Sequence, residues 1–194
     1  PHVVPAIRKR YPGLTLQLAE EKTEDILTML SQGELDAALL APPIGEDGLE
    51  VEVLFEEPFV LGLPGDHPLC DKEQISLDDL SGSELLLLDE GHCLREQALD
   101  VCALAGAHER VDFHATSMET LRQMVAADVG ITLLPILAVK PPIAQTNNLV
   151  TREFSDPAPC RNIALVWRSS SALSGFLREF ADSFRQLPES LLRL

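Results

Sequence analysis

Apolar residues recur along the chain in two rhythms, and the points where one gives way to the other mark out strands and helices. Val4, Ile7 and Tyr11 fall at helical spacing, Arg8-Lys9-Arg10 occupy the last turn and Pro12-Gly13 stops it, so residues 1–12 read as a helix. Leu14, Leu16 and Leu18 alternate with Thr15 and Gln17, as on a half-buried strand. Thr23 is placed to cap a helix that carries Ile26, Leu27 and Leu30 and ends at Gly33. Leu35 to Ala41 is apolar almost throughout and predicts a strand covered on both faces. Strand, helix and strand with short links form a βαβ unit. A domain of this kind opening on a helix leads us to expect a further strand upstream of residue 1.

Val51 to Leu63 carries a long strand signal interrupted by Glu56-Glu57-Pro58, and a strand of that length suits passage from one lobe to another. Residues 65–82 are polar and turn-rich, with one short helix. Leu85 to Leu88 is a buried-strand run, and Cys93 to Ala105 is built from strong helix formers ending at Gly106. Val111 to His114 reads as a short strand. Ser117 caps a helix with Met118, Leu121, Met124 and Val125 on one face, and Ile131 to Leu134 is a strand stopped by Pro135. Residues 140–160 hold four prolines and predict little regular structure, and Arg161 to Trp167 is a second crossing strand. The last helix shows one apolar stripe: Leu173, Phe176, Leu177, Phe180, Phe184 and Leu187. This order predicts an α/β protein with two Rossmann-like lobes joined by two crossing strands: residues 1–56 plus 162–194 as lobe I, and 57–161 as lobe II. Ligands in such sheets bind beyond the carboxyl ends of strands. The helix starts at Thr23 and Cys93 are therefore expected to face the space between the lobes.

Charge narrows the function. The 194 residues carry a formal net charge of −16, which repels phosphate backbones and excludes this polypeptide, acting alone, as a nucleic-acid binder. No run approaches the ~18 apolar residues of a membrane span, and the N-terminus lacks the apolar core of a secretory signal. Cys70, Cys93, Cys102 and Cys160 are too few for a disulfide scaffold and match no zinc spacing. His67, His108 and His114 add no ligand spacing, so neither metal nor cofactor is expected. Mostly free thiols in a reducing cytoplasm are the default for such a chain.

The segment LLLLDEGHCLREQALDVCALA (85–105) asks for a chemical explanation. Cys93 stands at the start of the predicted helix, and Cys102 lies nine residues on within it. Nine residues of helix separate the two positions by about 13 Å along the axis and place them on opposite sides. A disulfide needs Cα atoms roughly 4.4–6.8 Å apart. The pair is therefore either two unrelated thiols or the two halves of a switch that bonds only when the helix unwinds. A thiol at a helix N-terminus, with His92 and Arg95 as neighbours, has the setting that favours thiolate. Cys102, among Ala98, Leu99 and Ala105, is suited to wait buried. Cys70 and Cys160 lie in loops and read as incidental. His92 is either a plain turn residue or a hydrogen-bond partner of the thiol, and Thr23 either a plain cap or a ligand group as well.

GHCLREQALDVC (91–102), followed by ATSMETLRQMVAADVGITLLP (115–135), resembles the regulatory domain of the peroxide-sensing LysR-type transcription regulators. DHPL (66–69) and ISLDDLSG (75–82) resemble the broader LysR-type family, and the likeness covers nearly the whole chain. It implies a periplasmic-binding-protein-like fold. It also implies that Cys93 is the peroxide-reactive cysteine, Cys102 its resolving partner in a redox disulfide, and Thr23, Gly91, His92, Leu94 and Arg161 the groups around the reactive thiol. The implied partners are hydrogen peroxide, further copies of the chain in a homodimer or homotetramer, RNA polymerase and a thiol reductant. DNA is implied only through an N-terminal helix-turn-helix that this chain lacks. The chain also lacks the extra first strand and threonine-bearing loop of such domains, and Asp128 stands where they usually have glycine. The implied function is a peroxide-switched regulator and not an enzyme. Three rivals share features with it: a LysR-type domain that binds a small effector and needs no cysteine, a thiol peroxidase, and a solute-binding protein.

Overall fold

A computed structural model describes residues 1–45 and 47–194 and divides them into two compact units. The first is Pro1–Glu56 with Arg161–Pro188, and the second is Glu57–Cys160 with Glu189–Leu194. Two strands carry the chain between them: β2 (Leu49–Pro64) outward and β8 (Cys160–Arg168) back. Arg161 thus falls in the first unit, and the last six residues in the second.

In the first unit α1 (Val4–Arg10) forms as expected, with Ile7 buried. Strand β1 (Ala38–Leu40) runs antiparallel to β8, which in turn neighbours β2. Alternation along β8 builds two cores. Leu165 and Trp167 face one, with Ile7, Leu54 and the stripe Leu177, Phe180 and Phe184 of α5 (Ser174–Arg185). Ala164 and Val166 face the other, with Leu30 of α2 (Thr23–Gln32) and Leu40. The indole Nε1 of Trp167 donates to Ser174 Oγ at 3.1 Å, which ties β8 to the start of α5.

Three expectations for this unit are corrected. Leu14 to Leu18 form no strand: Leu14 and Leu16 pack partly on the α5 core, Leu18 is 78% exposed, and among the described residues no strand pairs with the segment. The βαβ unit therefore loses its first strand. β1 is shorter than Leu35 to Ala41 and is not covered on both faces, because Leu39 is exposed. Helix α2 is capped at Lys22 rather than Thr23, and no side chain caps it; its end at Gly33, in the left-handed region at φ 82°, is as expected.

The second unit combines a two-stranded sheet of its own with the strands that pair around β2. β4 (Glu84–Leu88) and β5 (His108–Ala115) are parallel, and a single bridge from Leu85 to Ile131 links β4 to β6 (Thr132–Pro135). β6 and β7 (Leu149–Phe154) flank β2 antiparallel, and β3 (Gln74–Ile75) adds in parallel to β7. The break expected at Glu56-Glu57-Pro58 does not occur, and β2 is continuous over 16 residues. The single short helix expected between 65 and 82 is two 3-10 turns, Pro68–Asp71 and Leu77–Leu80. β7, inside the supposedly irregular 140–160, was hidden by the prolines around it. Leu85 to Leu88 are all buried, with α3 (Cys93–Ala105) and α4 (Met118–Ala126) packed on the same core. Ser117 caps α4 by accepting the Thr120 N–H at 3.1 Å. Asp128 adopts φ 61°, which glycine enters at lower cost.

Candidate functional site: a thiol pair on one helix

β4 ends where the polar turn begins. The Asp89 N–H donates to Ala115 O at 2.8 Å, closing the β4–β5 ladder, and Gly91 turns the chain at φ 87°, a conformation that suits a residue without Cβ. His92 is the N-cap of α3: its side chain makes no capping bond, and its carbonyl accepts the Arg95 N–H at 2.9 Å. Cys93 is the first helical residue and is half-buried. Leu94, Ala98, Val101, Cys102 and Ala105 form the buried face, at spacings of three and four, and bind the helix to the leucines of β4. Gly106, at φ 66°, ends the helix and donates its N–H to Cys102 O.

All four cysteines are free thiols. Cys102 is 3% exposed, and its thiol is pushed up to about 11, first by burial and then by the negative charge of Glu109. It is a thiol stored as the neutral species. Cys70 donates its S–H to Pro64 O at 3.3 Å, and Cys160 is exposed at the start of β8. Among the described residues no three His, Cys, Asp or Glu side chains converge as a metal site would require.

The structure brings Gly91, His92, Cys93, Leu94 and Cys102 onto one turn and helix of the second unit. Thr23, the first residue of α2, and Arg161, the second residue of β8, belong to the first unit. Arg95 has a charged partner of its own. Its guanidinium is paired with Glu109 of β5 at 2.8 Å, with His114 Nδ1 3.6 Å from the other carboxylate oxygen. Nothing local in the sequence connects Glu109 to a helix that starts sixteen residues earlier.

The profile of the LysR substrate binding domain matches residues 1–188. The chain belongs to that family. Among curated relatives of this LysR-family chain, the hydrogen peroxide-inducible genes activator of Dickeya chrysanthemi is 44% identical over 187 residues, 96% of the chain and 61% of the relative. The chain thus spans about three fifths of that relative's length. Two solved structures are similar throughout. The reduced form of OxyR superposes with a TM-score of 0.84 at 39% identity, covering 95% of this chain and 86% of that one. The oxidised form of OxyR gives 0.83 at 42%, covering 95% and 87%. The α/β, periplasmic-binding-protein-like architecture expected from the sequence is the one these LysR-family domains share. Among the described residues no helix is long and apolar enough to cross a membrane.

Proposed function

We propose that the chain is the hydrogen-peroxide-sensing regulatory domain of a LysR-type transcription regulator, switched by a Cys93–Cys102 disulfide. One observation carries the reading: a half-exposed thiol at the first position of α3 and a buried neutral thiol further along the same helix, in a chain close to peroxide-inducible gene activators. The Cys93 thiolate attacks one peroxide oxygen, forming Cys93–S–OH and releasing hydroxide, which takes up a proton to become water. Cys102–SH then attacks the sulfenate sulfur, the S–O bond breaks, and the hydroxyl leaves with the thiol proton as a second water. Two thiols are oxidised by two electrons and one peroxide is reduced.

Gly91, His92 and Leu94 surround the reactive sulfur in this reading, and Thr23 and Arg161 are its proposed ligand groups from the first unit. The domain acts as a homodimer or homotetramer in the cytoplasm and reaches DNA and RNA polymerase through a helix-turn-helix carried elsewhere. It is returned to the dithiol by a thiol reductant, and is a sensor, not an enzyme.

Peptide mass mapping after one equivalent of peroxide tests the reading. A Cys93–Cys102 bridge formed within seconds, with loss of helix signal, supports it; no bridge, or bridging through Cys70 or Cys160, refutes it. A response that survives Cys93→Ser would mark an effector-binding domain, and sustained peroxide consumption with reductant a thiol peroxidase.

A further inference from the structure

Two residues past Cys93, Arg95 turns inward and pairs with Glu109 of β5. Nη2 donates to Oε2 at 2.8 Å, and the two side chains are only 11% and 17% exposed. The pair ties the first turn of α3 to β5. It is incompletely satisfied: Arg95 Nε and Nη1 and Glu109 Oε1 are buried without a hydrogen-bond partner, and His114 Nδ1 stands 3.6 Å from Oε1. The same carboxylate is close enough to Cys102 for its charge to act on that thiol. Glu109 therefore touches the helix beside one cysteine and acts on the other, although it is neither a thiol nor a peroxide ligand.

We propose that the Arg95–Glu109 ion pair is a latch on the reduced form, and that its strength sets how readily Cys93 and Cys102 close to a disulfide. The inference rests on the thiol-switch reading above. With α3 intact the two positions are about 13 Å apart along the axis, against a limit near 6.8 Å for a bridged pair. Closure must unwind the segment that contains Arg95, and so must pull the guanidinium off Glu109, which remains on β5. Breaking a buried pair from one side leaves an uncompensated charge, an expensive outcome. That cost falls only on closure and is recovered on reopening, when an external dithiol reduces the bridge to two thiols and becomes a disulfide itself. Arg95 and Glu109 are thus positioning residues for the switch. The latch is moderate because so many of its donors go unused.

The test is the redox equilibrium of the 194-residue chain against dithiothreitol, read by acid quench, alkylation and peptide mass mapping. Glu109→Gln and Arg95→Met should each move the Cys93–Cys102 equilibrium toward the disulfide at least tenfold, about 30 mV for a two-electron couple. The charge exchange Arg95→Glu with Glu109→Arg should return it toward the parent value, and Arg178→Gln, at an exposed pair in the first unit, should leave it unchanged. In a Cys102→Ser background, sulfenate formation at Cys93 should keep its rate within twofold in the Glu109→Gln variant, separating the latch from the first chemical step. Should Glu109→Gln fail to fold, Arg95→Lys, which keeps the charge and loses the fork, should shift the equilibrium in the same direction by less. Parent-like equilibria in the folded variants, or a shift toward the dithiol, overturn the latch while leaving the switch standing. A parent chain that never forms the Cys93–Cys102 bridge overturns the switch, and the latch with it.

Discussion

The resting state of Cys102 is open to direct measurement. Its thiol, pushed up to about 11 from an ordinary 9.0, is held neutral by burial and by the Glu109 charge. Alkylation proceeds through the thiolate, so at pH 7 a two-unit rise cuts the reactive fraction about a hundredfold, from roughly one in a hundred to roughly one in ten thousand. Burial lies behind both effects, since it raises the pKa and keeps the reagent from a side chain only 3% exposed. The perturbation is a pH series on the fully reduced chain with a small neutral alkylating agent. The assay is pulse labelling followed by peptide mass mapping, with exposed Cys160 as the internal reference. Cys102 should label at least a hundredfold more slowly than Cys160 at pH 7, and its rate should go on rising beyond pH 10. Glu109→Gln removes the smaller of the two raising causes and should bring the rate up by a modest factor. Equal labelling of the two cysteines, or a Cys102 rate that levels off near pH 9, would refute the picture of a stored neutral thiol.

The same raised pKa has a consequence for folding. Between about pH 9 and 11 the folded chain keeps a proton that the unfolded chain has lost, so stability falls as pH rises, by about 2 kcal/mol at pH 11 from this group alone. Urea midpoints under reducing conditions should show that part of the alkaline loss disappearing in Cys102→Ala, whose pH-independent cost is that of a small cavity. Asp128, held at φ 61°, predicts the opposite sign for a substitution: Asp128→Gly should stabilise the second unit by roughly 1 kcal/mol, seen as a higher Tm. A lower Tm would mean that the aspartate side chain more than offsets the backbone cost.

The helical half of the fold and the thiol pair could be read locally. Apolar residues three and four apart marked α4 and α5, a run of strong helix formers marked α3, Gly33 and Gly106 marked two helix ends, and Ser117 marked a start, because a helix satisfies its hydrogen bonds within its own segment. Cys93 at a helix start, with Cys102 on the core face of the same helix, followed from spacing alone. The strands were read less well. Leu14, Leu16 and Leu18 have the right alternation and no partner, whereas β7 lies among prolines yet finds β2 on one side and β3 on the other. A strand is decided by which neighbour supplies the ladder, and a local pattern cannot name that neighbour.

The sequence by itself determined that this is an acidic α/β chain, with a formal net charge of −16, and that two of its cysteines lie nine residues apart on one helix. Only the tertiary structure decided what stands around them. It buries Cys102 in one core with the leucines of β4 and pairs Arg95 with Glu109. It also places that carboxylate where its charge acts on the second thiol. Those relations join residues of a helix to residues of the strands before and after it. Charge and burial act through space, so they exist only once the sheet has set the distances.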